Sequence, residues 1–252
     1  MTSTATHKTI VIGGITGGIG SALARLLIAE GHHVTGFARK QEPLDALNKE
    51  LDLQAVPCDA TAPEALNACI KELAEQHGKI DAYVHAIGSI FLKPAHMTSP
   101  EDWLKTLHAN LSSAFYALAA ATKIMQKQGS GNCLFFSTAA AQTGIANHEA
   151  IAAAKGGIEA MVRSAAATYS SKGLRINAIA PSLTDTPLAR PIIGSEQALE
   201  ISKRMHPLGA IGAADDVASL AAWLISDQAR FVTGQTYVID GGISTIVPKP
   251  RA

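Results

Sequence analysis

The chain has 252 residues, of which 47% are hydrophobic, and its 21 Lys and Arg residues balance its 21 Asp and Glu residues. This length supports a sizeable core in one α/β domain, and the balanced charge gives no electrostatic reason to expect a nucleic acid or an anionic membrane as partner. No apolar run approaches the roughly 20 residues that span a bilayer. The polar tail, residues 1–7, lacks the apolar core of a signal peptide, and three widely spaced cysteines fit neither a disulfide framework nor a metal site, so we expect a cytoplasmic location.

Short β-rich runs alternate with longer helical patterns along the whole chain. The runs predict strands over 8–14, 32–38, 53–59, 79–88, 132–138, 174–181 and 234–242, and the patterns predict helices over 20–31, 41–51, 63–78, 100–129, 149–171 and 214–227. Apolar strands that alternate with helices favour a parallel sheet covered on both faces. We therefore predict a single doubly wound, Rossmann-type α/β domain over 1–252 with a seven-stranded parallel sheet.

A glycine-rich turn, "GGITGGIG" at 13–20, follows the first predicted strand. Gly14, Gly18 and Gly20 stand where backbone amides and a helix dipole can meet a pyrophosphate, and a Cβ there would block the close approach of phosphate. The spacing is G-x-x-x-G-x-G rather than G-x-G-x-x-G, and any tight turn favours glycine. Its position at the first strand-to-helix turn of an alternating chain nevertheless predicts a dinucleotide site.

The second predicted strand ends in "GFARK", where an NAD site would place an acidic residue for the ribose hydroxyls. Arg39 and Lys40 stand there instead, and charged donors suit a 2′-phosphate. NADP(H) is therefore favoured over NAD(H), although a solvated basic turn would have the same sequence. Asp59, which closes the third strand, either accepts from the adenine amino group or caps the next helix.

Several segments in a fixed order resemble the short-chain dehydrogenase/reductase family. They are "GGITGGIG" at 13–20, "CDAT" at 58–61, "HAIG" at 85–88, "HANLSSAF" at 108–115, "FFST" at 135–138, Lys155, "RINAIAPSLTDTP" at 175–187 and "GQTYVIDGG" at 234–242. The resemblance implies a Rossmann fold, a nicotinamide cofactor and a small-molecule substrate. It also implies a homodimer or homotetramer, because the small residues around Lys155 would let this helix pack closely against its twin.

The family's functional residues carry over only where this sequence matches them. For the cofactor, the resemblance points to Gly14, Gly18, Ile19, Gly20, Asp59, Gly88 and Thr186. For catalysis it points to Asn110 and Lys155, and to Thr138 in place of the family's Ser. Lys155 is then expected to donate to the nicotinamide ribose, whereas the alternative is a lysine whose stem covers a surface helix while its charge reaches water.

The family's catalytic Tyr has no counterpart, because "IAAAK" stands in place of Y-x-x-x-K and puts Ile151 at the Tyr position. Hydride transfer to a ketone creates an alkoxide that needs a proton, and an alkyl group has none to give. Loss of a general acid costs about 10² to 10⁴ in rate. His148 shares the helix face if the helix begins early enough, and it is the candidate for a substitute acid, with His85 as a weaker one.

Three hypotheses follow for the function. The protein is an NADP(H)-dependent oxidoreductase that reduces an imine, an iminium or an activated double bond, or a carbonyl reductase with a rebuilt acid, or an inactive NADP(H)-binding homologue that acts as a sensor or partner subunit. Ser182 and Ala86 also depart from the family pattern, at its Gly and its Asn. The segment 182–207 is the predicted substrate lid, and its composition points to a partly apolar substrate.

Overall fold

The computed structural model describes residues 7–247, so residues 1–6 of the predicted tail lie outside the described part. The strands are β1 Thr9–Gly13, β2 His33–Ala38, β3 Ala55–Pro57, β4 Ala82–His85, β5 Gly131–Phe136, β6 Leu174–Pro181, β7 Thr184–Asp185, β8 Gly212–Ala213 and β9 Thr236–Ile239. The α-helices are α1 Gly18–Ala29, α2 Gln41–Leu51, α3 Pro63–His77, α4 Pro100–Leu107, α5 Ser113–Gln128, α6 Glu149–Tyr169, α7 Arg190–Ile193, α8 Glu196–Met205 and α9 Ala214–Ile225.

Seven strands form one parallel sheet in the order β3-β2-β1-β4-β5-β6-β9, which confirms the predicted fold class. The chain first winds outward from β1 to β3, then returns to pair β4 with the other side of β1. The winding direction therefore reverses between β1 and β4, and ligands of such sheets bind outside the carboxyl ends of the strands at this point. β7 and β8 form a separate two-stranded ladder.

Both faces of the sheet are buried, because successive strand residues point to opposite sides. In β1, Ile10 and Ile12 pack in a cluster with side chains of α1, α2 and α9, whereas Val11 packs in a second cluster with side chains of α3, α5 and α6. Burial of each large aliphatic side chain contributes about 1.5–3 kcal/mol. The central strands are largely apolar because their two faces pack in different clusters.

The predicted single helix over 100–129 is wrong in one respect. A π-helical turn, His108–Ser112, separates α4 from α5. The Asn110 side chain, within that turn, donates to the carbonyl of Thr106 at 2.9 Å. In an uninterrupted α-helix that carbonyl would accept from the backbone N–H of Asn110 itself. Single π turns of this kind often occur at functional sites, and this one places Asn110 beside the loop that follows β4.

The other differences from the sequence predictions are the lengths of strands and the elements within the segment 182–207. The sequence-predicted strands over 79–88 and 234–242 are shorter in the structure, where they span Ala82–His85 and Thr236–Ile239. The segment 182–207, for which the sequence predicted no elements, contains β7, α7 and α8. Among the helices within residues 7–247, none combines the length and the apolar character that crossing a membrane requires.

Candidate active site

A cavity of about 300 Å³ opens at the carboxyl ends of the strands, next to the point where the winding reverses. Its walls come from segments that are distant in sequence: the start of α1, the residues after β4, β5 and β6, the first half of α6, and the segment 182–207. Nearly all the predicted catalytic positions therefore meet in one place, as the doubly wound topology requires.

The glycine turn forms a tight backbone cradle at the start of α1. Gly14 has a φ of +80°, and a Cβ there would lie 2.6 Å from the carbonyl oxygen of Ala86. A Cβ on Gly20 would lie 2.3 Å from the carbonyl oxygen of Gly14. No side chain caps the N-terminus of α1, whose N-cap residue is Gly17. The first amides of α1 thus keep hydrogen-bond donors for a phosphate, and the cradle fits the pyrophosphate of a dinucleotide.

Gly18 links this cradle to the segment 182–207. A Cβ on Gly18 would lie 2.6 Å from the methyl carbon of Thr186, so only glycine admits that side chain. The Thr186 hydroxyl donates to the carbonyl of Thr184 at 3.3 Å. Ile19 and Thr186 both line the cavity. The structure therefore places these two predicted cofactor contacts side by side.

The basic residues predicted to read the ribose lie at the edge of the site. Arg39 and Lys40 follow β2 and are exposed. Asp59 accepts from the backbone N–H and the hydroxyl of Thr61, at 2.9 and 2.8 Å. These bonds, with a smaller contribution from the charge of Arg39, lower the pKa of Asp59. Asp59 does not cap α3, because the N-cap residue of that helix is Ala62.

Asn110, Gly88 and Lys155 form a compact polar group beneath the cavity. Asn110 is fully buried, and its side chain accepts from the Ser89 N–H and donates to the Ser89 hydroxyl, each at 3.0 Å. A Cβ on Gly88 would lie 2.8 Å from the Asn110 Oδ1 and 3.1 Å from the Lys155 Nζ. Glycine at position 88 therefore allows the amide and the ammonium to approach each other.

Lys155 is a buried lysine and not one that covers a helix surface. Its Nζ donates to the carbonyl of Phe136 at 2.9 Å, and the residue is 7% exposed. Burial lowers its pKa to about 8, because a low dielectric disfavours the charged form. The Nζ has three protons and only this one bond to the protein in the described chain, so it retains donors for a ligand.

The two hydroxyls at the end of β5 have different hydrogen-bond partners, although both residues line the cavity. The Ser137 hydroxyl donates to Glu159 at 2.6 Å and lies 3.2 Å from the carbonyl oxygen of Lys155. The Thr138 hydroxyl accepts from the N–H of Ala140 at 3.4 Å, and Thr138 lines the cavity. That bond does not use the hydroxyl proton of Thr138, which stays available to a substrate oxygen.

Position 151, one helical turn before Lys155, presents an alkyl side chain to the cavity. Ile151 is buried and lines the cavity together with His148. Helix α6 begins at Glu149, so His148 is its N-cap residue and not part of its first turn. The His148 Nδ1 lies 2.8 Å from the carbonyl oxygen of Ala146. Both residues therefore reach the cavity, although His148 does so from the end of the helix.

His85 is excluded as the substitute acid. It is 1% exposed, does not line the cavity, and forms bonds to the Tyr83 hydroxyl at 2.9 Å and the Ser113 hydroxyl at 3.2 Å. Burial, together with the charge of Lys155, lowers its pKa to about 3. His85 is therefore neutral near pH 7, with both ring nitrogens bonded inside the protein.

The sequence analysis missed a second histidine, His206, which lies 3% exposed at the end of α8 and lines the cavity. Its Nε2 is 2.9 Å from the Ser182 hydroxyl, and its Nδ1 is 2.7 Å from the carbonyl oxygen of Ser202. Ser182 follows β6 and also lines the cavity. No spacing rule joins positions 182 and 206, so only the substitution of the family's Gly by Ser182 could have pointed to this pair.

Comparisons with known proteins agree with this geometry. The sequence profile described as "Enoyl-(Acyl carrier protein) reductase" matches residues 14–244. The chain is 32% identical to the probable 2,4-dienoyl-CoA reductase of Bacillus subtilis, over 93% of this chain and 96% of that protein. It is 30% identical to 3beta-hydroxysteroid dehydrogenase 1 of Eggerthella lenta, over 94% of each.

Solved structures show the same fold over nearly the whole chain. A short-chain type dehydrogenase/reductase from Mycobacterium ulcerans has a TM-score of 0.90 at 28% identity, covering 94% of this chain and 90% of that one. Levodione reductase also has a TM-score of 0.90 at 28% identity, with coverage of 95% and 98%. The chain therefore belongs to the short-chain dehydrogenase/reductase family, whose members are oxidoreductases that bind nicotinamide cofactors.

Proposed function

We propose that this protein is an NADP(H)-dependent reductase of polarised double bonds, an imine, an iminium or an activated C=C, in apolar substrates. The observation that carries the proposal is the alkyl side chain of Ile151, which lines the cavity at the position of the family's phenol, beside an apparatus that is otherwise complete. When bound, the reduced nicotinamide supplies a hydride to the substrate. Ketone reduction by the usual route needs a phenolic proton that this chain lacks.

The residues of this chain would hold the cofactor along its whole length. The cradle of Gly14, Gly18 and Gly20 would bind the pyrophosphate, because no side chain caps the first amides of α1 and the turn is too tight to admit a Cβ at these positions. Arg39 and Lys40 would bind the 2′-phosphate as exposed charged donors.

The inner half of the cofactor would meet the buried polar group. Lys155 would donate to the nicotinamide ribose with the protons that Phe136 leaves free. Asp59 would accept from adenine, and Gly88 and Thr186 would border the ribose and the carboxamide. Position 88 supports this assignment, because a side chain there would fill the space next to the Lys155 Nζ.

The substrate would bind with its polar end at Thr138 and its apolar part under the segment 182–207. Asn110 would support this end indirectly, since its amide is bonded to Ser89 and Thr106. The cavity wall is mainly aliphatic, with Ile90, Leu92, Ile145, Leu183, Leu188, Ile192, Met205 and Ile243. The names of two comparisons, an enoyl reductase and a dienoyl-CoA reductase, also support reduction of an activated C=C.

We propose further that residues 1–252 form one domain in which 182–207 acts as the lid. Helix α8 and the residues around it supply Ser202, Met205 and His206 to the cavity wall, so movement of this segment would open the site. A homodimer or homotetramer is proposed from α6, where a Cβ on Gly156 would meet nothing within 4 Å. Light scattering after size-exclusion chromatography tests the assembly, and a monomer would contradict it.

Cofactor binding and turnover are tested separately. Fluorescence titration should show tighter binding of NADPH than of NADH, and binding of neither would contradict the proposal. Benzylideneacetone, an enone, and dihydroisoquinoline, an imine, are then incubated with NADPH next to benzylacetone, the saturated ketone with the same skeleton as the enone. We expect turnover of the enone or the imine and little of the ketone. Faster turnover of benzylacetone than of either would contradict the proposal.

A second candidate function rests on the same replacement at position 151. An alkyl group at the acid position beside an intact cradle also suits a protein that binds NADP(H) without turnover, as a sensor or a partner subunit. In that case the titration shows binding, whereas none of the three compounds is reduced.

A further inference from the structure

The pair of Ser182 and His206 is a polar contact in a cavity wall that is mainly aliphatic. The His206 Nε2 lies 2.9 Å from the Ser182 Oγ, and both residues line the cavity. They come from separate elements, because Ser182 follows β6 and His206 follows α8. The contact therefore joins the two ends of the segment 182–207 directly beside the substrate space.

The surroundings of His206 decide which of its nitrogens carries a proton. The Nδ1 lies 2.7 Å from the carbonyl oxygen of Ser202, which can only accept, so the Nδ1 carries hydrogen. In the neutral ring the Nε2 then accepts from the Ser182 hydroxyl. In the protonated ring the Nε2 donates to the Ser182 Oγ, and the hydroxyl proton of Ser182 turns away from the ring. The pair can therefore pass a proton outward, toward whatever the cavity holds.

A carboxylate lies close enough to His206 to interact with its charge. Asp240, at the end of β9, accepts from the N–H groups of Gly242 and Ser244. Burial raises the pKa of Asp240, but the bonds from Ser244 and Gly242 and the charge of a protonated His206 outweigh it, so the net pKa is lowered. Asp240 is thus an anion near neutral pH, close to the His206 ring.

We propose that Ser182, supplied by His206, donates the proton that Ile151 cannot give, and that the substrate is an α,β-unsaturated carbonyl compound. This inference rests on the proposed function and narrows it. Reduction of such a C=C adds a hydride from the reduced nicotinamide to the β-carbon and leaves an enolate. The enolate α-carbon takes the proton of the Ser182 hydroxyl, the Ser182 oxygen takes the Nε2 proton of His206, and neutral His206 is reprotonated from solvent.

Two polar groups of the cavity wall, at the ends of neighbouring strands, favour this substrate class over the others. A ketone needs its proton on the same oxygen that Thr138 would hold, next to Ile151, whose side chain has no proton to give. An enone has its oxygen at one end and needs its proton on carbon, away from that oxygen. Thr138 after β5 and Ser182 after β6 supply these two places from different strands. An iminium forms no anion on reduction and would make no use of the pair.

The test uses the α-methyl derivative of benzylideneacetone, whose α-carbon becomes a stereocentre when it is protonated. With NADPH, the wild-type protein should give one enantiomer in excess. Ser182→Ala should lower kcat by about 10² or more and give a nearly racemic product, because solvent then protonates either face. Ser182→Thr, which keeps the hydroxyl, should restore both rate and excess. Unchanged rate and excess in Ser182→Ala would overturn the inference while leaving the reductase function in place.

His206 acts through Ser182, so the test of a His206 variant is the pH dependence of kcat. His206→Gln can still bond to Ser182 but cannot titrate, so kcat should fall and lose the decline toward alkaline pH that a histidine proton source produces. An alkaline decline equal to that of wild type would assign that step to another group. The exposed variants Ser219→Ala and His77→Gln, outside the site, are the matched controls.

A measurement without cofactor separates the two proposals. Long-range ¹H–¹⁵N spectra of the imidazoles should show His206 as the tautomer with hydrogen on Nδ1, and Ser182→Ala should shift its Nε2 resonance. The opposite tautomer would overturn the proton path whatever the activity. If the tautomer is as expected but the wild-type protein reduces dihydroisoquinoline and neither of the two enones, the inference fails and the proposed function stands. If it reduces none of the three compounds, the proposed function fails and the inference fails with it.

Discussion

The nucleotide end and the substrate end of the site are built in different ways. At the nucleotide end, backbone atoms form the site. Gly14, Gly18 and Gly20 leave no room for a Cβ, and no side chain caps the first amides of α1. At the substrate end, side chains from separate segments meet, with Ile151 and Ser182 as members of one wall. The first end tolerates few substitutions, whereas the second can exchange its chemistry while the fold is kept.

This difference is consistent with the proposal that an alkyl group replaces the family's acid at position 151 while the rest of the site is kept. Lys155 and Asn110 border the position of a Cβ on Gly88, so a side chain at position 88 would displace both of them. Ile151 only fills the cavity wall, and its replacement alters no hydrogen bond of this group. Substitutions at the two ends of the site are therefore expected to have different effects on reduction and on cofactor binding.

The largest effect is expected at the substrate end, from Ile151→Tyr. A phenol one turn before Lys155 would supply the missing proton, so benzylacetone reduction should rise about 10²- to 10⁴-fold above that of Ile151→Phe. Ile151→Phe is the matched control, because it adds the ring without the hydroxyl. NADPH affinity should be the same in both variants, as measured by fluorescence. Equal ketone reduction in the two would show that position 151 does not limit this chemistry.

The next effect concerns the cost of burying Lys155. The unfolded chain keeps the lysine proton up to its ordinary pKa of 10.5, whereas the folded protein releases it near 8. Between these values the unfolded state binds more protons, so the free energy of unfolding rises with pH, by about 3 kcal/mol over the window. Below pH 8 the buried lysine is charged, and its burial lowers the free energy of unfolding by the full amount.

Urea unfolding at a series of pH values measures this difference against Lys155→Met. The difference in unfolding free energy between wild type and Lys155→Met should change across pH 8 to 10.5. The exposed Lys71, which pairs with Glu75, gives the control Lys71→Met, for which the curves should stay parallel. If the free energies of unfolding of wild type and Lys155→Met change with pH in parallel, the lysine is not charged in a buried site.

A smaller effect is expected at the nucleotide end from Gly14→Ala. Both Gly14 and Gly78 have positive φ values, of 80° and 72°, so alanine strains the backbone at either position. Only Gly14 also brings a Cβ against the Ala86 carbonyl, since a Cβ on Gly78 meets nothing within 4 Å. NADPH affinity should fall about 100-fold in Gly14→Ala beyond any change in Gly78→Ala. Equal dissociation constants would remove the cradle from the cofactor site.

The smallest effect is expected from Arg39→Ala. Loss of one exposed charged donor to the 2′-phosphate should weaken NADPH binding about 10-fold and leave NADH binding unchanged. Lys49→Ala, an exposed lysine of α2, is the control for general charge loss. A parallel loss of NADH affinity would contradict the assignment of Arg39 to the phosphate.

The sequence predicted the sheet, its seven strands and the bounds of α2 and β6. Apolar strands that alternate with helices, and glycines in the turns between them, are signals that short segments of sequence carry. It missed the π turn at His108–Ser112, in which the Asn110 side chain donates to the Thr106 carbonyl, since no residue propensity encodes such a turn. It also left open whether Asp59 caps a helix and whether Lys155 is buried. Those answers depend on where neighbouring segments lie.

By itself, then, the sequence determined the nucleotide cradle and the alkyl group at position 151, since each is a matter of residue type at a fixed spacing. Only the tertiary structure brought Ser182 to His206, set the burial of Lys155, and removed His85 from the candidate acids. The physical reason is that a spacing rule operates along one helix or one turn. Contact between the end of a strand and the end of a distant helix depends on how the whole sheet is wound.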